Sequence, residues 1–319
     1  MGNSFRRLLP ILFLVLTAVQ GAAQDANILQ PVDTIEARLE EGLFQVVDKQ
    51  GSRGRGDRTS RVALAFPDGE MMVVKWARAP RGGEEFNNAP RYELAAYEIQ
   101  KLFLDEPEYV VPPTVLRAFP RQWYRTLEPD VPATLSQTDA VVVALQYWLF
   151  SVTDEDFWDP KRFGADTAYA RNFANFNLLT YLIRHNDANV GNFLVSTIPA
   201  NPRVFSVDNG LAFASRVSDR GARWRDLRVE RVPDRTVERL RALTREQLTR
   251  HMETLAQFRV REDAQLVRTE ITENVEPRRG VRVRGDIVQF GLTEQEIDSV
   301  WRRVERLLSD VDRGRLEVF

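Results

Sequence analysis

Between positions 43 and 77 apolar residues gather in three short runs, Leu43 to Lys49, Arg61 to Phe66 and Glu70 to Ala77, split by a Gly/Arg-rich link and by Pro67-Asp68-Gly69. Short apolar runs bounded by turn residues read as strands, so this pattern predicts a β-meander. From Pro90 to Leu104 the pattern changes. Tyr92, Ala95, Ala96, Ile99, Leu102 and Phe103 recur at helical spacing behind a proline suited to a first turn. A shorter helical segment lies near Thr34 to Glu41. Val110 to Arg117 and Ala140 to Trp148 are apolar enough to complete a five-stranded sheet, and Phe150 to Asp154 reads as a connector.

Beyond the connector, Asp166 to Arg184 carries Phe173, Phe176, Leu179 or Thr180, and Ile183 on one helical face and runs straight into a polar loop from His185 to Asn192. Two short strands, Phe193 to Thr197 and Arg203 to Val207, flank Pro199 to Pro202 as a hairpin. Pro233-Asp234 opens a helix to about Leu243, Thr244 opens another to about Phe258, and Thr293 with Glu296 forms a capping box for the last. The order predicts an α+β fold of two lobes. A β-rich lobe with one main helix spans residues 24–149, and an α-rich lobe spans 150–319.

The first residues add a targeting expectation. Arg6 and Arg7 precede an apolar run from Leu8 to Val19, then Gly21-Ala22-Ala23. The run falls short of the roughly 20 residues that cross a bilayer, so residues 1–23 are expected to be a cleavable signal peptide, with no stable membrane span after its removal. Without the leader, 42 basic residues face 46 acidic ones, a balance that gives no electrostatic footprint for nucleic acid. The chain has no cysteine and no Asn-x-Ser/Thr sequon, which for an exported protein fits a bacterial periplasmic or secreted product. With only His185 and His251, a structural zinc cluster is excluded, and no Gly-x-Ser-x-Gly elbow is present.

Against that background a few residues stand out. Lys75 is one of four lysines among 44 basic residues and lies in an apolar strand run, where a compact cation needs an anion. Glu93, eighteen residues on, sits in the first turns of the Pro90 helix and is preferred as its partner over Glu98. Gly51, Gly54 and Gly56 fall between the first two strands, where a phosphate-covering loop would place free backbone N–H groups. Asp187, five residues before Asn192, is a candidate base; Asn192 and Asp208, the latter opening Asp208-Asn209-Gly210, are candidate metal ligands. His185 is read as a structural group pinning the loop to the Asp208 segment, and His251 as exposed on a polar helix. Singly, each has an ordinary explanation as a snorkelling lysine, a solvated helix carboxylate or turn-forming Asn and Asp. In chain order the set reads as a phosphoryl-transfer site.

At these residues the chain resembles the protein-kinase-like superfamily, with Lys75, Glu93, His185-Asn186-Asp187, Asn192 and Asp208-Asn209-Gly210 at the signature positions. Asp-Asn-Gly resembles the secretory-pathway kinases of the Golgi casein kinase and four-jointed type. Arg91 to Tyr97 followed by Val111-Pro112-Pro113 is similar to segments of those and of phosphoinositide-kinase-like and HipA-type families. The resemblance spans Val46 to Phe213; beyond it no Ala-Pro-Glu follows and residues 211–319 map to nothing. It implies ATP as donor, Mg²⁺ or Mn²⁺ as cofactor, and a protein, lipid or small-molecule hydroxyl as acceptor. Two other outcomes use the same fold: a catalytically inactive nucleotide- or partner-binding pseudokinase, and an enzyme transferring AMP from a reversed nucleotide.

Overall fold

The computed structural model describes residues 26–51, 59–86, 88–213 and 223–319. The expected signal peptide, Gly54 and Gly56 lie outside the described residues. Helix α1 (Val32–Glu40) precedes β1 (Gln45–Gly51), β2 (Thr59–Ala65) and β3 (Met71–Arg78), and α2 (Pro90–Gln100) follows. Then come β4 (Thr114–Pro120), the single turn α3 (Arg121–Tyr124) and β5 (Ala140–Tyr147). The five strands form one antiparallel sheet in the order β1-β2-β3-β5-β4, with Lys75 facing Arg61 on one side and Gln146 on the other.

Alternation along β3 divides the sheet's two faces. Met72, Val74 and Trp76 join Ile35 and Leu39 of α1, Phe119 and Tyr124 in one buried cluster, where Trp76 stacks on Phe119 and donates its indole N–H to Tyr124. Ala77, with Val142 and Ala144 of β5, turns to the other side and packs against α2 in the core that continues into the second half of the chain. Lys75 shares this second side by parity. Helix α2 ends at Gln100; Lys101 to Leu104 close it with turns rather than extending it, and the Gln100 side chain instead holds the backbone of Val110 and Val111.

The second half opens with β6 (Val152–Thr153), α4 (Pro160–Ala165) and α5 (Thr167–Leu182), each helix capped by an aspartate, Asp159 or Asp166. Strands β7 (Phe193–Ser196) and β8 (Val204–Ser206) make the hairpin, and β9 (Arg231–Val232), α6 (Asp234–Ala242) and α7 (Arg245–Met252) follow. The segment that the sequence assigns to a helix reaching Phe258 divides: α7 stops at Met252, and β10 (Ala256–Val260) begins a second antiparallel sheet with β11 (Leu266–Thr269), β12 (Val281–Arg284) and β13 (Ile287–Phe290). The reason is visible in the period, since Ala256 and Phe258 alternate with Gln257 and Arg259. The buried Gln257 amide is satisfied by the Glu270 carbonyl and by Gln289 across the sheet, which no continuing helix would offer. Arg268 of β11 donates to the Leu116 carbonyl and pairs with Glu40, so this sheet leans on the first. Helix α8 (Glu294–Asp312) and β14 (Glu317–Val318) finish the chain. No helix among the described residues is long and apolar enough to cross a membrane.

Candidate active site

Strand β3 and helix α2 bring the first two residues together. Lys75 Nζ donates to Glu93 Oε1 at 2.7 Å, and both side chains are largely withdrawn from solvent, 13% and 6% exposed. The same ammonium donates to Asp208 Oδ1 at 3.0 Å, reaching from the sheet to the end of the β7–β8 hairpin. Burial by itself would lower the Lys75 pKa, but Asp208 and Glu93 outweigh it and hold the ammonium protonated far above neutrality. Lys75 in turn depresses the Asp208 carboxyl, while burial pushes Glu93 up against the pull of the same lysine. Glu98, the other carboxylate considered on α2, faces elsewhere, 2.8 Å from Lys101 and 3.5 Å from the His251 ring. His251 is therefore not the exposed residue its polar helix suggests: its Nε2 also lies 3.0 Å from the Glu98 carbonyl oxygen and ties α7 to α2.

Asp208 occupies the left-handed region at φ 59°, an unusual conformation for a residue other than glycine. Its side chain remains 57% exposed despite the contact with Lys75. The next residue locks the turn in place. The Asn209 backbone N–H donates to Glu93 Oε2 at 3.0 Å, and its side-chain oxygen accepts from Ser206 Oγ at 2.8 Å. Glu93 thus spends one oxygen on Lys75 and the other on the backbone beside Asp208, joining sheet lobe and hairpin through a single carboxylate.

A second group of residues converges on Asp187. The Asn192 amide donates to the Asp187 carbonyl at 2.9 Å and to its Oδ2 at 3.0 Å, and the Asn189 amide donates to its Oδ1 at 2.9 Å. Asn189 was legible only as a turn former; its hold on the candidate base appears in the folded loop. The Asp187 N–H donates to His185 Nδ1 at 3.3 Å. His185 is fully buried and meets Phe193 edge-on; burial lowers its pKa to about 4, so the ring is neutral at physiological pH and serves the loop as an acceptor.

The two groups are joined through backbone and amides. Val207 N–H donates to the Asn192 carbonyl at 2.9 Å, Phe213 N–H to the Ile183 carbonyl at 2.6 Å, and the Asn186 side chain to the Leu211 carbonyl at 3.3 Å. Asn192 and Asp208 accordingly stand at the same end of the β7–β8 hairpin. Asn192 uses its amide nitrogen on Asp187 and keeps its side-chain oxygen for another partner; with the solvent-facing Asp208 carboxylate this is an oxygen donor pair of the kind hard divalent cations take. No cluster of three or more His, Asp or Glu side chains suited to a metal occurs among the described residues, so a metal here would need further oxygens from its ligand. Gly51 ends β1 opposite Ser60, at the root of the glycine-rich link.

A sheet lobe whose lysine is salt-bridged to its own helix and to an Asp-x-Gly turn, above a helical lobe carrying an Asp-to-Asn loop, is the architecture of kinase-like folds. The solved structures agree. The chain resembles the structure of hydra Fam20 with sugar over 89% of its length and 88% of that chain, at 12% identity and a TM-score of 0.50. It resembles the Golgi casein kinase with Mn/ADP bound over 90% of its length and 78% of that chain, at 11% identity and a TM-score of 0.50. At such identities the likeness shows the fold, an α+β kinase-like one. No family model matches the chain, and no curated protein matches it in sequence.

Proposed function

We propose that the protein is an atypical kinase that moves the γ-phosphoryl group of ATP to a hydroxyl on a protein, lipid or small molecule. The observation that carries the reading is the Glu93–Lys75–Asp208 chain, in which a buried cation is held at the mouth of the hairpin by one carboxylate from each lobe. In this reading Lys75, oriented by Glu93, binds the α and β phosphates, and Asp208 with the Asn192 side-chain oxygen holds Mg²⁺ or Mn²⁺. When bound, the metal neutralises charge on the phosphates. Asp187, fixed by two amides, accepts the acceptor's hydroxyl proton as that oxygen bonds to the γ phosphorus and the bond to the bridging oxygen breaks, leaving ADP. That the solved Golgi casein kinase carries Mn/ADP supports the nucleotide and metal assignment.

The lobes divide at about residue 150, with the sheet lobe at 24–149 and the catalytic and metal loops in 150–319. Residues 1–23 direct export, so the donor nucleotide must be met outside the cytoplasm. The test is incubation of purified protein with γ-labelled and α-labelled ATP in Mg²⁺ or Mn²⁺, read by mass spectrometry. An added phosphate supports the proposal, an added AMP overturns phosphoryl transfer in favour of nucleotidyl transfer, and no adduct or turnover with any metal leaves a binding module.

A further inference from the structure

Helix α8 carries Ser299, Arg302, Arg303 and Arg306 at helical spacing on the face beside its buried Val300, Val304 and Leu307 stripe. With Tyr181 and Arg184 from the end of α5, and Arg225 and Asp226, they line a cavity of about 390 Å³. Five guanidinium groups share that space with one carboxylate, and Asp226 stands 3.8 Å from Arg228, outside the cluster.

Several arginines elsewhere in the chain are paired with carboxylates. Arg241 with Asp312, Arg245 with Asp298 and Arg315 with Asp310 all use carboxylates of α8 itself. Among the described residues no carboxylate lies within 4.0 Å of Arg184, Arg302, Arg303 or Arg306. Among the described residues Arg302 donates to Ser299 Oγ, at 3.0 Å, and Arg303 Nε to the Leu182 carbonyl, at 2.8 Å. Burial lowers the Arg303 pKa to about 10; Tyr181 pulls it up, while Arg184, Arg302 and Arg306 push it further down.

We propose that this cavity is a binding site for a soluble polyphosphorylated small molecule, held by Arg184, Arg302, Arg303 and Arg306 at the root of the catalytic loop. The chemistry selects the class. A carboxylate offers two oxygens to one guanidinium fork, whereas several forks converging on one space match the many acceptor oxygens and multiple charges of linked phosphates. The site is separate from the Lys75–Asp208 cleft and does not depend on the kinase reading.

Calorimetric titration of the full chain with tripolyphosphate in EDTA, at matched ionic strength, tests it, with inorganic phosphate as the single-phosphate arm. The expected result is saturable tripolyphosphate binding that persists in Asp208→Ala, weakens at least tenfold in the Arg302→Ala/Arg306→Ala double variant, and is unchanged in Arg250→Ala, whose partner is Glu246 on its own helix. Inorganic phosphate should bind at least tenfold more weakly than tripolyphosphate. Should the double alanine variant unfold, Arg302→Lys/Arg306→Lys, which keeps the charges and removes the forks, should show the same direction of loss. Absence of saturable binding, loss in Asp208→Ala with full affinity in the arginine variants, or equal affinity for both anions would overturn the proposal.

Discussion

The Glu93 carboxylate bridges Lys75 Nζ, at 2.7 Å from one oxygen, and the Asn209 backbone N–H, at 3.0 Å from the other. Helix α2 therefore cannot rotate away from β3 without also releasing the turn that presents Asp208. Opening and closing of the cleft would act on both lobes at once.

Removing the cation exposes the cost of that arrangement. In Lys75→Ala, Glu93 keeps its buried place without a counter-charge, and losing one partner of a buried pair costs on the order of 3–5 kcal/mol. Burial already pushes the Glu93 pKa up, and without Lys75 it rises further. A raised carboxyl contributes stability that is present at acid pH and lost as pH climbs through the folded pKa. Urea melts of the variant and parent should therefore differ least near pH 5 and most near pH 8; a gap that narrows toward alkaline pH would contradict the assignment.

Asp187 and Asp208 should separate chemistry from binding. Asp187→Ala is expected to lower phosphoryl transfer by about two to four orders of magnitude, the usual range for a lost general base, while the thermal shift with Mg-ATP is kept. Asp208→Ala should remove the metal-dependent part of that shift. An unaltered Mg-ATP shift in the second variant would remove Asp208 from the metal site.

His185 predicts an acid-side loss of stability. Its folded pKa, about 4, lies below the value near 6.5 of the unfolded chain, so the unfolded state takes up the proton first. Stability should rise with pH between about 4 and 6.5, by up to about 3 kcal/mol from this group at 1.36 kcal/mol per unit. His185→Gln should flatten that part of a ΔG-against-pH curve measured by denaturant titration. A curve with the same slope in both proteins would show that His185 is not its source.

Arg91 ties α2 to α8. Its guanidinium pairs with Glu84, donates to Glu296 at 2.8 and 2.9 Å and to the Gly291 carbonyl at 3.1 Å, and lies over the Tyr92 ring. Arg91→Met should destabilise by about 3–5 kcal/mol because Glu296 stays behind, whereas adding Glu296→Gln should recover part of that loss. Additive effects in a double-mutant cycle followed by thermal melts would show that the two do not act together.

Much of the framework was written in local pattern. The short apolar runs from Leu43 to Ala77 and the helical repeat of Tyr92, Ala95, Ala96 and Ile99 correspond to β1 to β3 and to α2. The Thr293–Glu296 capping box marks the start of α8. Such signals are legible because each depends on residues a few positions apart. The stretch after Thr244 reads as one helix because its capped polar start runs on without a glycine or proline into a strand whose alternation covers only a few residues. Gln257 reveals itself as a strand residue only when Gln289 and the Glu270 carbonyl meet its amide.

By itself, then, the sequence determined which side chains were available for chemistry and on which kinds of element they ride: a lone lysine in an apolar strand, a glutamate in a helix's first turns, an Asp-to-Asn loop and an Asp-Asn-Gly turn. Only the tertiary structure decided their partners, since Lys75 and Asp208 are separated by 133 residues and meet through the packing of two lobes. The amides gripping Asp187 and the α8 arginines that meet no carboxylate among the described residues are equally matters of packing. A charge takes its meaning from what surrounds it at 3 to 4 Å, and those neighbours come from distant parts of the chain.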